Sequence, residues 1–349
     1  MEYLSNPCRG RGLSHPDLAE VPWPLADPSA ARALYAQCPK AAETPLTGAP
    51  GLATEAGIGT LLVKDERGRM GLGSFKALGA AHVIARDAAE GRARGSTYVT
   101  ASAGNHGLSV AAGAAAFGAR ARIYLAETVP ESFAARLQDA GAEVRRAGAS
   151  YEDSMQAALQ AARTEGLELL SDSSWPGYTS RPLVLMEGYL ILFAELAAQI
   201  GPPPTHVVVQ AGVGGLAGAA AAFMRAVWGD GPRIVVVEPA AAPALQASIR
   251  AAGPVTAPGP VSIMGRLDCK EPSLIALKGL ARDADAFVTI TEDEAAHGTR
   301  RAEANGLAST PSGAAGIAAL LAAGPEERAA LELDARSRVL AILTEAPTP

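Results

Sequence analysis

Short apolar strand-like runs alternate with helix-like stretches along most of the chain, and that alternation limits the fold to parallel sheets carrying helices on both faces. Strands are expected at 61–64, 98–100, 122–125, 143–145, 168–170, 207–210, 234–237, 286–290 and 339–343. Gly118 and Gly141 mark helix ends, each just before a new strand. Residues 201–204 form a short proline-rich linker, and 251–260 a longer loop of Pro, Gly, Ala and Val. The segment 6–28, rich in Pro, Gly and Arg, reads as an extended arm that could wrap a neighbouring subunit. The fold class is α/β.

Three strand-to-helix junctions carry chemistry. At the first, Leu62-Val63-Lys64-Asp65-Glu66 leads to Gly73-Ser74-Phe75-Lys76, which sets Lys76 in the first turn of a helix with Ser74 as its expected N-cap. The helix N-terminus and partial burial both disfavour an ammonium, so Lys76 can become the neutral amine that imine chemistry needs. A solvated lysine is the ordinary alternative. At the second, Thr97-Tyr98-Val99-Thr100 runs into Ser102-Ala103-Gly104-Asn105-His106-Gly107, a loop of small residues that presents backbone amides to a ligand. Asn105 can donate and accept in one plane, which suits a phenolate oxygen and a carboxylate, or it could simply cap the helix. His106 has no acid or nucleophile paired with it in the sequence and reads as packed or capping.

The third junction follows Val207-Val208-Val209-Gln210 and reads Ala211-Gly212-Val213-Gly214-Gly215-Leu216-Ala217. Glycines let the backbone approach a ligand, and the helix N-terminus favours a dianion, so this is a phosphate cradle. The same loop satisfies the dinucleotide fingerprint, with Glu238 at the end of the next strand where a ribose-binding carboxylate would sit. That nicotinamide reading leaves Lys76 and the loop at Ser102–Gly107 without a task. An aldehyde cofactor bearing a phosphate uses all three junctions.

With these residues in view, the chain resembles the fold type II, or tryptophan-synthase-β-like, group of pyridoxal-phosphate (PLP) enzymes, and within it the diaminopropionate ammonia-lyases. The resemblance runs through Glu43-Thr44-Pro45-Leu46, the lysine segment, the asparagine loop, Asp172-Ser173-Ser174-Trp175-Pro176-Gly177-Tyr178, Asp268-Cys269-Lys270-Glu271-Pro272 and Pro311-Ser312-Gly313. It implies two domains, a larger one from residues 1–78 and 171–349 that binds the cofactor and a smaller, mobile one from 79–170. It also implies that Lys76 holds PLP, that Gly212, Val213, Gly214, Gly215 and Leu216 hold its phosphate, and that Asn105 faces its ring oxygen. Thr344 is the candidate hydroxyl opposite the pyridine nitrogen. Ser102, Ala103 and Asn105 would bind the substrate carboxylate, while Asp172 and Tyr178 line the substrate site.

The activity so implied is α,β-elimination of ammonia from a small L-amino acid such as 2,3-diaminopropionate, giving pyruvate and ammonia. Lys76 is the base for the α-proton, and Asp172 holds the β-ammonium, unless it merely caps the following turn. A neutral hydroxyl opposite the pyridine nitrogen favours elimination over transamination. Serine or threonine dehydration, β-replacement and a catalytically silent PLP-binding protein are the alternatives. Family members that accept both enantiomers carry an aspartate just before Gly-Asn-His-Gly. Here that position is Ala103, which implies L-selectivity or a changed substrate. The tail also departs from the family, reading Thr344-Glu345-Ala346-Pro347 where a glycine and an aspartate usually follow the glutamate.

Composition adds exclusions. A net charge of −6 without a basic cluster speaks against nucleic acid. Cys8, Cys38 and Cys269 are too few and too scattered for a disulfide framework or a metal site. No charge-free run of about 20 apolar residues and no signal-like N-terminus is evident, so a cytoplasmic enzyme without a membrane partner is expected, and a homodimer is the expected assembly.

Overall fold

The computed structural model describes residues 1–347. Its strands are β1 (Glu2–Ser5), β2 (Leu46–Gly48), β3 (Thr60–Asp65), β4 (Thr97–Ala101), β5 (Arg120–Leu125), β6 (Glu143–Arg146), β7 (Glu168–Leu169), β8 (His206–Gln210), β9 (Arg233–Pro239), β10 (Ala286–Ile290) and β11 (Arg338–Leu343). They form a seven-stranded sheet, β1-β10-β9-β8-β11-β3-β2, and a four-stranded sheet, β6-β5-β4-β7. The small sheet is wholly parallel. In the large one only the edge strands β1 and β2 run antiparallel to their neighbours.

Every strand expected from the apolar pattern forms. The two that the pattern missed are both edge strands, three and four residues long, whose pairing is set by the neighbouring strand more than by their own side chains.

The centre of the large sheet is buried on both faces, and its valines divide cleanly between them. Val207, Val209, Ile234 and Val236 pack under the helices Ser180–Gln199, Gly215–Trp228 and Leu274–Asp283. Val208, Val235, Val237 and Val288 face the opposite layer, which includes the helices Glu292–Ala304 and Ala315–Ala322. Alanine on the helices is what permits close approach. A Cβ added at Gly218 would lie 3.3 Å from the Cα of Ala276 and 3.1 Å from the Met186 methyl.

The N-terminal arm packs on its own chain. It lies on the helix Leu274–Asp283 of its own chain, where Lys278 Nζ donates to the carbonyls of Leu18 (2.8 Å) and Val21 (2.5 Å). Trp23 stacks against both Arg282 and Lys278, at 4.1 and 4.9 Å from its ring centroid.

The helix Ser180–Gln199 is long and apolar enough to cross a membrane by composition, yet 67% of that stretch is buried inside the protein. It also carries Glu187 and Glu195, both ion-paired within the fold. Glu195 is the hub of a charge network behind the lysine segment. It pairs with Lys64 at 2.9 Å and with Arg69 at 2.7 Å, and Arg69 pairs in turn with Glu66 at 2.7 Å. Thr44 closes the network by donating to Glu66 and receiving from Arg69. Removing one member leaves the opposite charge buried without its counter-ion. Glu195→Ala should therefore lower the free energy of unfolding by about 3–5 kcal/mol in urea titrations, whereas truncating the exposed pair partner Arg336 should change it by no more than about 1 kcal/mol.

Candidate active site

The chain that follows β3 passes through tight 3-10 turns at Glu66–Gly71, where Met70 takes a left-handed φ of 52°. It is then zipped against the residues after β11: Phe75 N–H donates to Thr344 O at 3.1 Å, and Ala346 N–H to Gly73 O at 2.9 Å. The helix Lys76–Ala89 begins immediately afterwards. Its N-cap position is Phe75, with no side chain bonding there, so Ser74 does not cap it. Ser74 is instead bridged, backbone to backbone, with Glu345, because the zipper claims it first.

Lys76 Nζ lies 2.5 Å from Asp172 Oδ2, and each side chain keeps 22% exposure. Burial works against a charged amine here, but the adjacent carboxylate outweighs it and raises the Lys76 pKa well above the ordinary lysine range. Burial likewise opposes the Asp172 carboxylate, and Lys76 outweighs it and holds that group below the usual range. Beside Asp172 the amine expected to be neutral at this helix start is instead held toward the ammonium.

Asp172 is set by its loop. The Tyr178 hydroxyl accepts from Ser171 N–H at 3.1 Å and donates to Leu169 O at 2.9 Å. The backbones of Trp175 and Tyr178 pair, and their rings stack at 4.4 Å. Tyr178 was expected to face substrate. Its hydroxyl is committed to the backbone just before Asp172, so it also fixes the segment that carries that carboxylate.

Across the cleft, Ser102 Oγ accepts from the N–H groups of Gly104 and Gly107 at 3.3 Å and folds the small-residue loop onto the start of the helix Asn105–Ala116. A Cβ at Gly107 would meet Ser102 O at 2.6 Å, so the turn has no room for a side chain there. His106 is packed: its Nε2 faces Leu170 O at 2.8 Å, Nδ1 has no hydrogen-bond partner among the described residues, and burial pushes its pKa down. Asn105 Nδ2 donates to Glu345 Oε2 at 2.5 Å. Glu345 also meets Arg266 at 3.0 Å and accepts from the Thr310 hydroxyl. Burial pushes its carboxyl upward, and Arg266, Thr310 and Lys76 pull it back without fully offsetting that.

The glycine loop leads from β8 into the helix Gly215–Trp228. Gly214 has φ +99°, and a Cβ there would lie 2.9 Å from that of Ala276; one at Gly212 would come within 3.0 Å of Cys269 Sγ. Glycine is required at 214 by both its φ and its contact, while a side chain at 212 would have to displace Cys269 or the Leu267 backbone. The first amides of this helix have no intrahelical acceptor, and a Cβ at Gly215 would lie 3.7 Å from the Tyr189 ring. The Tyr189 ring packs beside Phe75 at 4.9 Å, and its buried hydroxyl has no hydrogen-bond partner among the described residues. Burial pushes the Cys269 thiol up to about 12, so it remains a neutral neighbour of the loop. Thr344 is buried, and its hydroxyl oxygen lies 3.4 Å from Gln210 Nε2.

A lysine amine, a glycine-walled nest of amides and a buried hydroxyl together fit a phosphorylated aldehyde with a basic ring nitrogen. They do not fit a dinucleotide. Glu238 is wholly buried and accepts from the N–H groups of Leu245 (2.7 Å) and Gln246 (2.8 Å), so it caps the next helix and cannot meet a ribose. An open polar cavity of about 420 Å³ lies elsewhere, at the starts of β8 and β9, and shares no residue with this constellation.

Glu345, Tyr189 and Gln210 were not singled out from sequence. Each belongs to an apolar run, and nothing local distinguishes it from a packing residue.

The family model described as "Pyridoxal-phosphate dependent enzyme" matches residues 39–345. Diaminopropionate ammonia-lyase of Salmonella typhimurium is 31% identical over 90% of this chain and 88% of its own length. That of Escherichia coli K12 is 32% identical over 87% and 84%. The crystal structure of the E. coli enzyme with an aminoacrylate–PLP azomethine reaction intermediate superposes with a TM-score of 0.88 at 30% identity, covering 99% of this chain and 93% of that one. The same enzyme in complex with D-serine gives 0.87 at 29% identity, over 99% and 93%.

Glu238 yields a pH test. Burial lifts its pKa from the ordinary 4.5 up to about 8, which the two amide bonds only partly offset. Because the folded-state value exceeds the unfolded one, its contribution is fully present below the unfolded value and is lost as pH rises through the folded one. Unfolding free energy should fall between about pH 4.5 and about pH 8, and Glu238→Gln should remove that slope in urea titrations run across the range.

Proposed function

We propose, from the premise that the chain belongs to the pyridoxal-phosphate-dependent enzyme family, that it is an ammonia-lyase removing the β-amino group of a small L-amino acid such as 2,3-diaminopropionate, with pyruvate and ammonia as products. The observation that carries this is the pairing of Lys76 with Asp172 at 2.5 Å. A carboxylate that already stabilises one ammonium at the reacting centre is placed to hold a second, that of the substrate β-amino group. General amino-acid dehydration needs no such anion.

The cofactor, when bound, supplies an electron sink that acidifies the substrate Cα–H. The chain's own residues do the rest. The amides from Gly212 to Leu216 hold the phosphate, and Asn105 faces the ring oxygen. Thr344 offers a neutral hydroxyl to the pyridine nitrogen. Ser102, Ala103 and Asn105 orient the substrate carboxylate. Asp172 would hold the incoming β-ammonium, and Lys76, as a neutral amine, would take the proton from the substrate Cα. Tyr178 keeps Asp172 in reach through its two backbone bonds.

Residues 79–170 form the smaller domain in this reading, supported by the small sheet lying wholly within that span and by Asn105 meeting the large-sheet side at Glu345. Ala103 offers no carboxylate on the face opposite Lys76, which supports L-selectivity. A homodimer belongs to the same proposal and is read by light scattering.

Lys76→Ala should abolish the visible absorbance of the bound cofactor and cut pyruvate release by roughly a thousandfold or more. Asp172→Asn should lower kcat/KM for 2,3-diaminopropionate by roughly a hundredfold, the equivalent of one charge-assisted hydrogen bond, while elimination from L-serine falls much less. Equal losses on both substrates would remove Asp172 from β-ammonium recognition. In Ala103→Asp, release of pyruvate from D-2,3-diaminopropionate should appear where the unaltered enzyme shows none.

A further inference from the structure

Glu345 enters none of the steps above, yet its buried side chain has three partners in the candidate site. It stands two residues beyond the end of β11, is 4% exposed, and is held from three directions. Thr310 donates to one carboxylate oxygen, Arg266 approaches the other at 3.0 Å, and that second oxygen also accepts from Asn105 Nδ2 at 2.5 Å. Its backbone is fixed as well, bridged to Ser74 and accepting from Ser309 Oγ at 2.6 Å. Asn105, by contrast, opens the helix after β4 and belongs to the small-sheet side.

A terminal amide can turn over at little cost, exchanging its donor edge for its acceptor edge. A carboxylate can only accept. With Arg266 and Thr310 supplying donors on its other sides, the carboxylate admits only the Nδ2 edge of Asn105. The second Nδ2 proton and Oδ1 are then left at defined places for a ligand.

We infer that Glu345 is a positioning residue: it selects the amide orientation of Asn105, and so decides which edge that side chain offers to the cofactor ring oxygen and the substrate carboxylate. This rests on the reading that Asn105 faces the cofactor. Gln at 345 keeps the shape but can donate as well as accept, so it loses the selection without opening a cavity.

The test is a double-mutant cycle on cofactor affinity, measured by titrating apo-protein with pyridoxal phosphate and following absorbance. E345Q weakens binding about tenfold, and N105A does the same or more, whereas adding E345Q to the N105A background costs no more than about a further twofold. E345Q also moves the visible band of the bound cofactor in the same direction as N105A. Effects of E345Q that are as large in the N105A background as alone would overturn the inference, since Glu345 would then act through something other than Asn105. No effect of N105A on affinity or on the band would instead overturn the placement of Asn105 in the cofactor site, and the inference with it. Should E345Q fail to fold, Thr310→Val loosens the other carboxylate oxygen without touching Asn105. It must show the same dependence on Asn105 at smaller amplitude, and an independent effect counts against the inference.

Discussion

An ammonium 2.5 Å from a carboxylate, both mostly withdrawn from water, governs the rest of this molecule. Each charge is tolerable only because the other is there: burial alone would push Lys76 toward the free amine and Asp172 toward the neutral acid. Whatever draws Asp172 away moves Lys76 toward the neutral form that burial prefers, and in the function proposed above a cation at the substrate's β-position would be that group.

Such coupling demands that both partners be held still, and they come from segments far apart in the chain. Lys76 is fixed by the backbone zipper with the residues after β11 and, behind it, by the buried network of Lys64, Glu66, Arg69 and Glu195. Asp172 is fixed by Tyr178 and the paired turn it closes. The helix Ser180–Gln199 joins the two supports. Its N-terminal end follows the Asp172 loop, Tyr189 in its middle packs beside Phe75, and Glu195 near its end anchors Arg69. An apolar helix with two buried acids is thus the spine of the site.

Much of the site could be read in advance because its chemistry is local. A lysine at a strand–turn–helix junction, a glycine loop after a valine strand and an asparagine at a helix start are each contiguous, and each has a physical reason to exist. Gly214 illustrates it: a φ of +99° and a Cβ clash at 2.9 Å leave no other residue possible. The failures were equally physical. Ser74 had the right side chain for a cap, but the backbone zipper to Glu345 placed it elsewhere. Glu238 lay at the right spacing for a ribose, a reading already set aside because it left Lys76 without a task, and its burial and two amide partners exclude that role for a reason invisible in one dimension. The N-terminal arm looked free because it lacks periodicity, and it is held instead by a tryptophan stacked on cations from a helix some 250 residues away in sequence.

The sequence by itself determined the α/β class and where the central strands lie along the chain, and it supplied the lysine and the glycine loop on which the proposed function rests. Those depend on residue period, on glycine geometry and on bonds between near neighbours. Only the tertiary structure decided the pairing of Lys76 with Asp172, the bonds of Tyr178 to the backbone before Asp172 and the meeting of Asn105 with Glu345. Charge and hydrogen-bond partnership depend on distance in space and on exclusion of water, and neither exists until Lys76 and Asp172, 96 positions apart, and Asn105 and Glu345, 240 apart, are brought together.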